Sequence, residues 1–323
     1  MGPTTRQSLE RRIGFLLPAV VAVACILPAW ADVRLASVFS DHMVLQRGIT
    51  VPVWGTDDAG EEVVVVIEGA EATTTADADG AWSVDLPSMY AGGPYSLIVE
   101  GSTRVELTDV LVGDVWVGSG QSNMQWTVAN SDDPENEIAG ANYADIRLLY
   151  VPRTVSAGPA DSFNATWTLC NPSTVAGFSA VAYFFGRHLH RELDVPIGLI
   201  HSSWGATRIE AWMSADAMSD PAHAHVLADY AQREAKYAEN LAAYERQQAD
   251  WMTARALPVD EQPVPAPTAG WPPGKVDTWA QRPSGLYNAM ISPLTPFAIR
   301  ASSGIRARAT SCPHTATGAC FPQ

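Results

Sequence analysis

Ser122 stands on a turn whose residue types could carry out acyl transfer. The string Gly118-Ser119-Gly120-Gln121-Ser122-Asn123-Met124 follows the apolar run 109–117 (DVLVGDVWV) without a break. A serine on a glycine-flanked turn after a buried strand can expose its oxygen at the edge of a sheet. Backbone N–H groups nearby can then point at a developing oxyanion. The same string suits a plain tight turn, so alone it decides nothing. A phosphate cradle fits less well, because the Lys-Ser/Thr ending of a phosphate-binding loop is missing. A second turn of the same texture, Ser202-Ser203-Trp204-Gly205, closes the run 196–201 (PIGLIH). His201 lies at the end of that run and reads as a strand-end residue. His188 and His190 sit two apart on an expected helix and so face different sides. They read as surface or packing histidines, and no Cys/His spacing suits zinc.

Two such turns act together only if their strands end at one edge. The run 109–117 reads as a strand buried on both faces, 146–151 (IRLLYV) as a second and 196–201 as a third. Between the last two, Val181, Phe184, Phe185, Leu189 and Leu193 recur at helical spacing. Strand, loop, helix, strand is the pattern of a parallel α/β sheet, whose sites lie at the carboxyl ends of strands. Residues 32–108 read differently. Short runs at 51–54, 62–68, 82–86 and 95–99 are separated by turn signals at 57–60, 77–80 and 92–94. They predict a small all-β sandwich domain. Residues 215–257 are Ala-rich, with Leu227, Tyr230, Tyr237, Leu241, Tyr244 and Trp251 on one helical face. They predict a helical insertion that packs on the body. The stretch 258–284 is a Pro-rich linker, and an ordered pattern resumes over 285–300.

Composition excludes several classes. The 323 residues are 47% apolar and 17% charged, too apolar for a disordered chain. Formal net charge is -15, and two of the 20 basic residues are Lys. That balance is unsuited to gripping nucleic acid phosphates or anionic lipid. At the N-terminus, Arg6, Arg11 and Arg12 precede the apolar run 13–27 and an Ala29-Trp30-Ala31 site. This is the layout of a secretory signal peptide over 1–31, with export to the periplasm or the medium and no membrane insertion after cleavage. Cys25 falls within it. Cys170, Cys312 and Cys320 remain, of which Cys312 and Cys320 are the nearest pair for one disulfide.

The longer strings carry a resemblance. Residues 118–126 (GSGQSNMQW), after DVLVGDVWV, resemble the nucleophile block of sialate O-acetylesterases, within the SGNH-type hydrolases. Residues 35–52 (LASVFSDHMVLQRGITVP) resemble the family's opening, 195–212 (VPIGLIHSSWGATRIEAW) its second block, and 285–300 (GLYNAMISPLTPFAIR) the approach to its third. The resemblance spans roughly 33–300. It implies an SGNH-type parallel-sheet hydrolase domain over 109–300, which hydrolyses acetyl esters on carbohydrate without metal or organic cofactor. Ser122 would be the nucleophile, its own N–H and that of Gly205 would hold the oxyanion, and Gln121 and Asn123 would shape the loop beside substrate. Glu210 fits an acid or a structural partner equally. An acetylated carbohydrate is the implied partner, and the oligomeric state stays open.

The chain departs from the family after Arg300. The third block, a stretch like WYQGESN, and the late Asp-x-x-His block that supplies the catalytic histidine are both missing. Residues 301–323 read as a polar tail. Yet 301–310 can be encoded as GCG TCA TCT GGT ATC AGG GCG AGA GCA ACG. With one G placed before it, the same bases read GVIWYQGESN. A single-base frameshift after Arg300 is therefore the expectation, with 301–323 out of frame and the hydrolase domain incomplete at its C-terminus. On this reading the chain is a truncated, inactive form. The rival expectations are a non-catalytic carbohydrate-binding protein built on 32–108, and a pseudoenzyme.

Overall fold

Alternating burial builds the first part of the chain. Its strands are β1 (Arg34–Leu35), β2 (Val44–Gln46), β3 (Val51–Thr56), β4 (Glu62–Ile67), β5 (Ala70–Thr75), β6 (Ala81–Leu86) and β7 (Gly92–Glu100). In β4, Val63, Val65 and Ile67 are buried; in β6, Trp82, Val84 and Leu86. This period of two gives each sheet one apolar face. One sheet has the order β1-β3-β6 and is antiparallel. In the other, β5, β4 and β7 lead antiparallel into the first half of β8 (Arg104–Gly120), which β2 also joins. The buried residues of both sheets share one hydrophobic cluster, so the small sandwich forms as the turn signals indicate.

The computed structural model describes residues 32–263, 268, 270–273 and 279–305, with 303–305 by backbone alone. The signal-peptide expectation for 1–31 and the Cys312–Cys320 pairing lie outside the described residues.

Strand β8 belongs to both parts of the fold. Over 104–109 it alternates; over 110–115 every residue is buried. The switch marks the passage from a one-faced sheet to a strand covered on both faces. Its second half pairs in parallel with β11 (Ile197–Ser203) and with β12 (Ala301–Ile305). Beyond β11 come β9 (Tyr143–Tyr150), parallel, and β10 (Thr168–Cys170), antiparallel at the edge. The α/β order is thus β10-β9-β11-β8-β12. The polar stretch after Arg300 does enter this sheet, with Ala301 opposite Trp116 and Ile305 opposite Gly120. Backbone N–H and C=O groups on an open strand edge need partners whatever side chains accompany them.

The helices are α1 (Ser122–Gln125), α2 (Pro134–Ala139), α3 (Pro172–Val175), α4 (Ala180–Leu193), α5 (Ala215–Met218), α6 (Ala224–Ala256) and α7 (Gly285–Met290). Helix α4 differs in face from its large apolar residues. Its buried positions are Ala180, Ala182, Tyr183 and Gly186, while Leu193 is exposed. Leu199 of β11 fills the space above Gly186. Small residues let the helix lie close to the sheet, and the larger Val181, Phe184 and Leu189 cover the flanks of the second core cluster. The long α6 runs as expected, its stripe half-buried apart from exposed Leu227. Tyr230 stacks on Trp279, Arg233 lies over Trp279, and Arg282 lies over Tyr230. Residues near the end of the linker thus pack back on the arm. Among the described residues, no helix is long and apolar enough to cross a membrane.

Two ion pairs, each with one buried and one part-exposed partner, secure the length of β8. Arg47 forms a two-bond fork with Asp114 at 2.9 Å, and Gln46 donates to the same carboxylate. Burial acts to raise the Asp114 carboxyl, but the bonds from Arg47 and Gln46 outweigh it and hold it below the usual range. Nearer the sandwich, Arg147 donates to both carboxylate oxygens of Asp109 and to its carbonyl, and His42 Nδ1 lies 2.6 Å from Asp109 Oδ2.

Candidate active site

Strand β8 ends in a sharp turn at Gly120, whose φ of 139° favours glycine. Helix α1 starts two residues later at Ser122. Its single turn is closed by Gln125 N–H to Gln121 O and Trp126 N–H to Ser122 O, each at 3.0 Å. Met124 is the buried anchor of this turn, and the Ser179 hydroxyl donates to its sulfur. With Met124 inward, Ser122 and Asn123 are exposed and Gln121 is half-buried.

Register brings the second turn beside the first. In the parallel β8–β11 pair, Ser202 lies opposite Ser119 and Ser203 opposite Gly120. Trp204 N–H then donates to Gly120 O at 3.0 Å. Gly205 therefore reaches Ser122. A Cβ at Gly205 would stand 3.3 Å from Ser122 Oγ and 2.8 Å from Gln125 Oε1. Ser122 and Gly205, from separate stretches of sequence, are thus neighbours. Gln121 and Asn123 flank the serine on either side.

The amides are arranged differently from expectation. Gly205 N–H is taken by Gln125 Oε1. The amide that points at Ser122 Oγ, at 3.4 Å, is that of Ala206. Ala206 has φ 59°, in the left-handed region that costs a residue with a Cβ. The loop is braced around it. Thr207 Oγ1 donates to Trp204 O, and Trp212 Nε1 donates to Thr207 Oγ1 at 2.9 Å. Gln281 donates through Nε2 to Ala206 O and accepts Arg208 N–H on Oε1 at 2.8 Å. Sequence reasoning missed Ala206, Gln125 and Gln281. Gln125 carries a usable signal, since i and i+3 share a helical face with Ser122. Gln281 carries none, lying inside the linker.

His201 is not presented to the serine. It is buried, its Nε2 lies 2.5 Å from Ser203 Oγ, and Tyr150 and Phe178 pack against its ring. Burial, with a smaller contribution from Arg153, pushes its pKa down to about 4. This is a neutral core histidine, as a strand-end reading implies. Glu210 contributes its backbone carbonyl to Ser284 N–H. Among the described residues, no histidine or carboxylate hydrogen-bonds to Ser122 Oγ, and no group of three His, Cys, Asp or Glu side chains is placed to hold a metal.

No family model matches the chain. Curated relatives do. It is 34% identical over 229 residues to a sialate O-acetylesterase of Pongo abelii, covering 62% of this chain and 42% of that protein. It is 32% identical over 229 residues to that of Rattus norvegicus, covering 64% and 42%. Among solved structures, a carbohydrate acetylesterase from Xanthomonas citri superposes with a TM-score of 0.64 at 32% identity, over 84% of this chain and 50% of that one. The chain therefore spans less than half the length of the curated relatives it matches. The class is an SGNH-type α/β hydrolase fold preceded by a small β sandwich. Within that class, the chain is similar to sialate O-acetylesterases over the stretch it shares with them.

Proposed function

We propose that the paired turns carry acetyl-ester hydrolysis on acetylated carbohydrate, with Ser122 as nucleophile. The observation that supports this most directly is the convergence of exposed Ser122 with the Gly205–Ala206 loop, whose amide faces its oxygen. In the proposed step Ser122 Oγ attacks the acetyl carbonyl, the hydroxyl proton passes to a base, and the sugar alcohol leaves. Water then releases acetate from the acyl-enzyme. Gln121 and Asn123 shape the loop beside substrate.

A serine hydroxyl is a weak nucleophile without a base. Since His201 is committed to Ser203, we read the 323-residue chain as turning over poorly. A frameshift after Arg300 would account for the lack of a base at Ser122 among the described residues, and export would follow from the signal-peptide layout of 1–31. A pseudoenzyme is the second reading, favoured by the same lack of a base at Ser122 Oγ among the described residues.

The test resequences the gene across codon 300. It then compares acetate release by the 323-residue chain and by the restored-frame product, each with and without Ser122→Ala. Activity of the restored product that Ser122→Ala abolishes is expected. A confirmed frame with no block like WYQGESN downstream removes the frameshift and leaves the pseudoenzyme.

A further inference from the structure

We infer that Gln281 is a positioning residue for Ser122: its carboxamide clasps the Ala206–Arg208 turn so that Ala206 N–H is the loop amide presented to the serine oxygen. The role assigned to that amide rests on the reading of Ser122 as nucleophile; the clasp itself does not.

Three observations carry the inference. First, the two amides of the loop have separate duties. Gly205 N–H is held by Gln125 Oε1 from α1, while Ala206 N–H faces Ser122 Oγ at 3.4 Å. Second, Ala206 holds φ 59° although it has a Cβ. Backbone in that region persists only when the surroundings over-determine it. Third, Gln281 supplies that constraint from a distant part of the chain. Its Nε2 donates to Ala206 O and its Oε1 accepts Arg208 N–H. A single planar carboxamide thus bonds the backbone on both sides of Thr207. A relaxed Ala206 would rotate its peptide, and the N–H would leave the serine.

Gln281 is in turn placed by its neighbours. Trp279 stacks on Tyr230 at 6.3 Å between ring centroids, Arg233 lies over the Trp279 ring, and Arg282 lies over Tyr230. The segment that bears Gln281 is docked on α6. The long arm therefore has a function at the site: it anchors the clasp that sets the loop amide. An oxyanion on Ser122's substrate would then meet an N–H already oriented, with little reorganisation.

The experiment uses the full chain and two readouts. Amide hydrogen exchange by NMR reports the clasp. In Gln281→Ala, exchange at Ala206 should rise about tenfold, the scale of one lost hydrogen bond, while Trp204, bonded to Gly120 O, keeps its rate. Titration with phenylboronic acid, followed by boron NMR, reports the site. The serine oxygen adds to trigonal boron, one O–B bond forms, the serine proton goes to buffer, and a tetrahedral anion results. Gln281→Ala should weaken that adduct about tenfold, and Ser122→Ala should abolish it. Gln281→Glu keeps the acceptor for Arg208 N–H but loses the donor to Ala206 O, so it should match Gln281→Ala at Ala206 and spare Arg208. It also serves if Gln281→Ala fails to fold. Unchanged exchange at Ala206 in both variants overturns the inference. If the wild-type chain forms no Ser122 adduct, the nucleophile reading fails, and the exchange data alone decide the clasp.

Discussion

Ala206 N–H points at Ser122 Oγ from 3.4 Å, while the neighbouring Gly205 N–H is occupied by Gln125 Oε1. Two adjacent amides of one loop are thus divided between holding the loop and facing the serine. The division explains why position 205 is glycine. A Cβ there would crowd both Gln125 Oε1 and Ser122 Oγ.

Gly205→Ala should therefore cost the site more than the fold. Gln125 Oε1 is the far end of a flexible side chain, so it can swing away at a cost of about 1 kcal/mol for the lost bond. The serine loop would no longer close as it does now. Urea melts should show that small loss, while boronate binding at Ser122 falls by far more than tenfold. Equal losses in both measurements would contradict this division.

His201 should make stability depend on pH in a definite window. Its folded value lies near 4, below the ordinary 6.5, because burial penalises the charged ring. The unfolded chain therefore binds the extra proton first. The contribution is complete above about 6.5, declines as pH falls to about 4, and amounts to about 3 kcal/mol over that span. Denaturant melts at stepped pH values measure the slope. His201→Gln should flatten it, and an unchanged slope in that variant would assign it elsewhere.

Removing Arg147 should destabilise the joint between sandwich and α/β sheet. The Arg147 side chain is 4% exposed and holds Asp109, itself at φ 55°. Arg147→Met leaves the Asp109 carbonyl without that donor and its part-exposed carboxylate with His42 alone, a loss of about 1–2 kcal/mol. The bond from Arg147 is the main reason the Asp109 carboxyl lies below its usual range, against burial and with help from His42. A depressed carboxyl stabilises above its unfolded value and loses that contribution as pH falls through its folded value. Arg147→Met should accordingly begin acid unfolding at higher pH. The same acid midpoint in both proteins would count against the pair.

Cys170 should be inert in the folded chain. It is buried and free, and burial pushes its thiol up to about 12. Thiolate is the reactive form, so iodoacetamide should label Cys170 only on unfolding. Rapid labelling under native conditions would mean that the β10 edge opens readily.

Much of the architecture was legible from patterns. Alternation in β4 and β6, the Val- and Leu-rich run of β8, and turn signals between short strands each follow from local burial. The string around Ser122 also marked its turn, because glycine, exposed serine and an inward Met124 are local requirements. Where large apolar residues and tight packing disagreed, periodicity failed. The buried face of α4 is set by Gly186 under Leu199, which only the neighbouring strand reveals.

By itself the sequence determined the sandwich, the parallel strands and the two turns, since each depends on neighbours a few residues away. Tertiary structure alone decided that Ser119 and Ser202 share a register position, that Ala206 faces Ser122, and that Gln281 reaches Ala206. It also decided that the polar residues after Arg300 line the edge of β8. These are contacts between residues far apart in the chain. They are selected by strand pairing and by backbone groups that need partners, and such requirements leave no periodic mark on either segment.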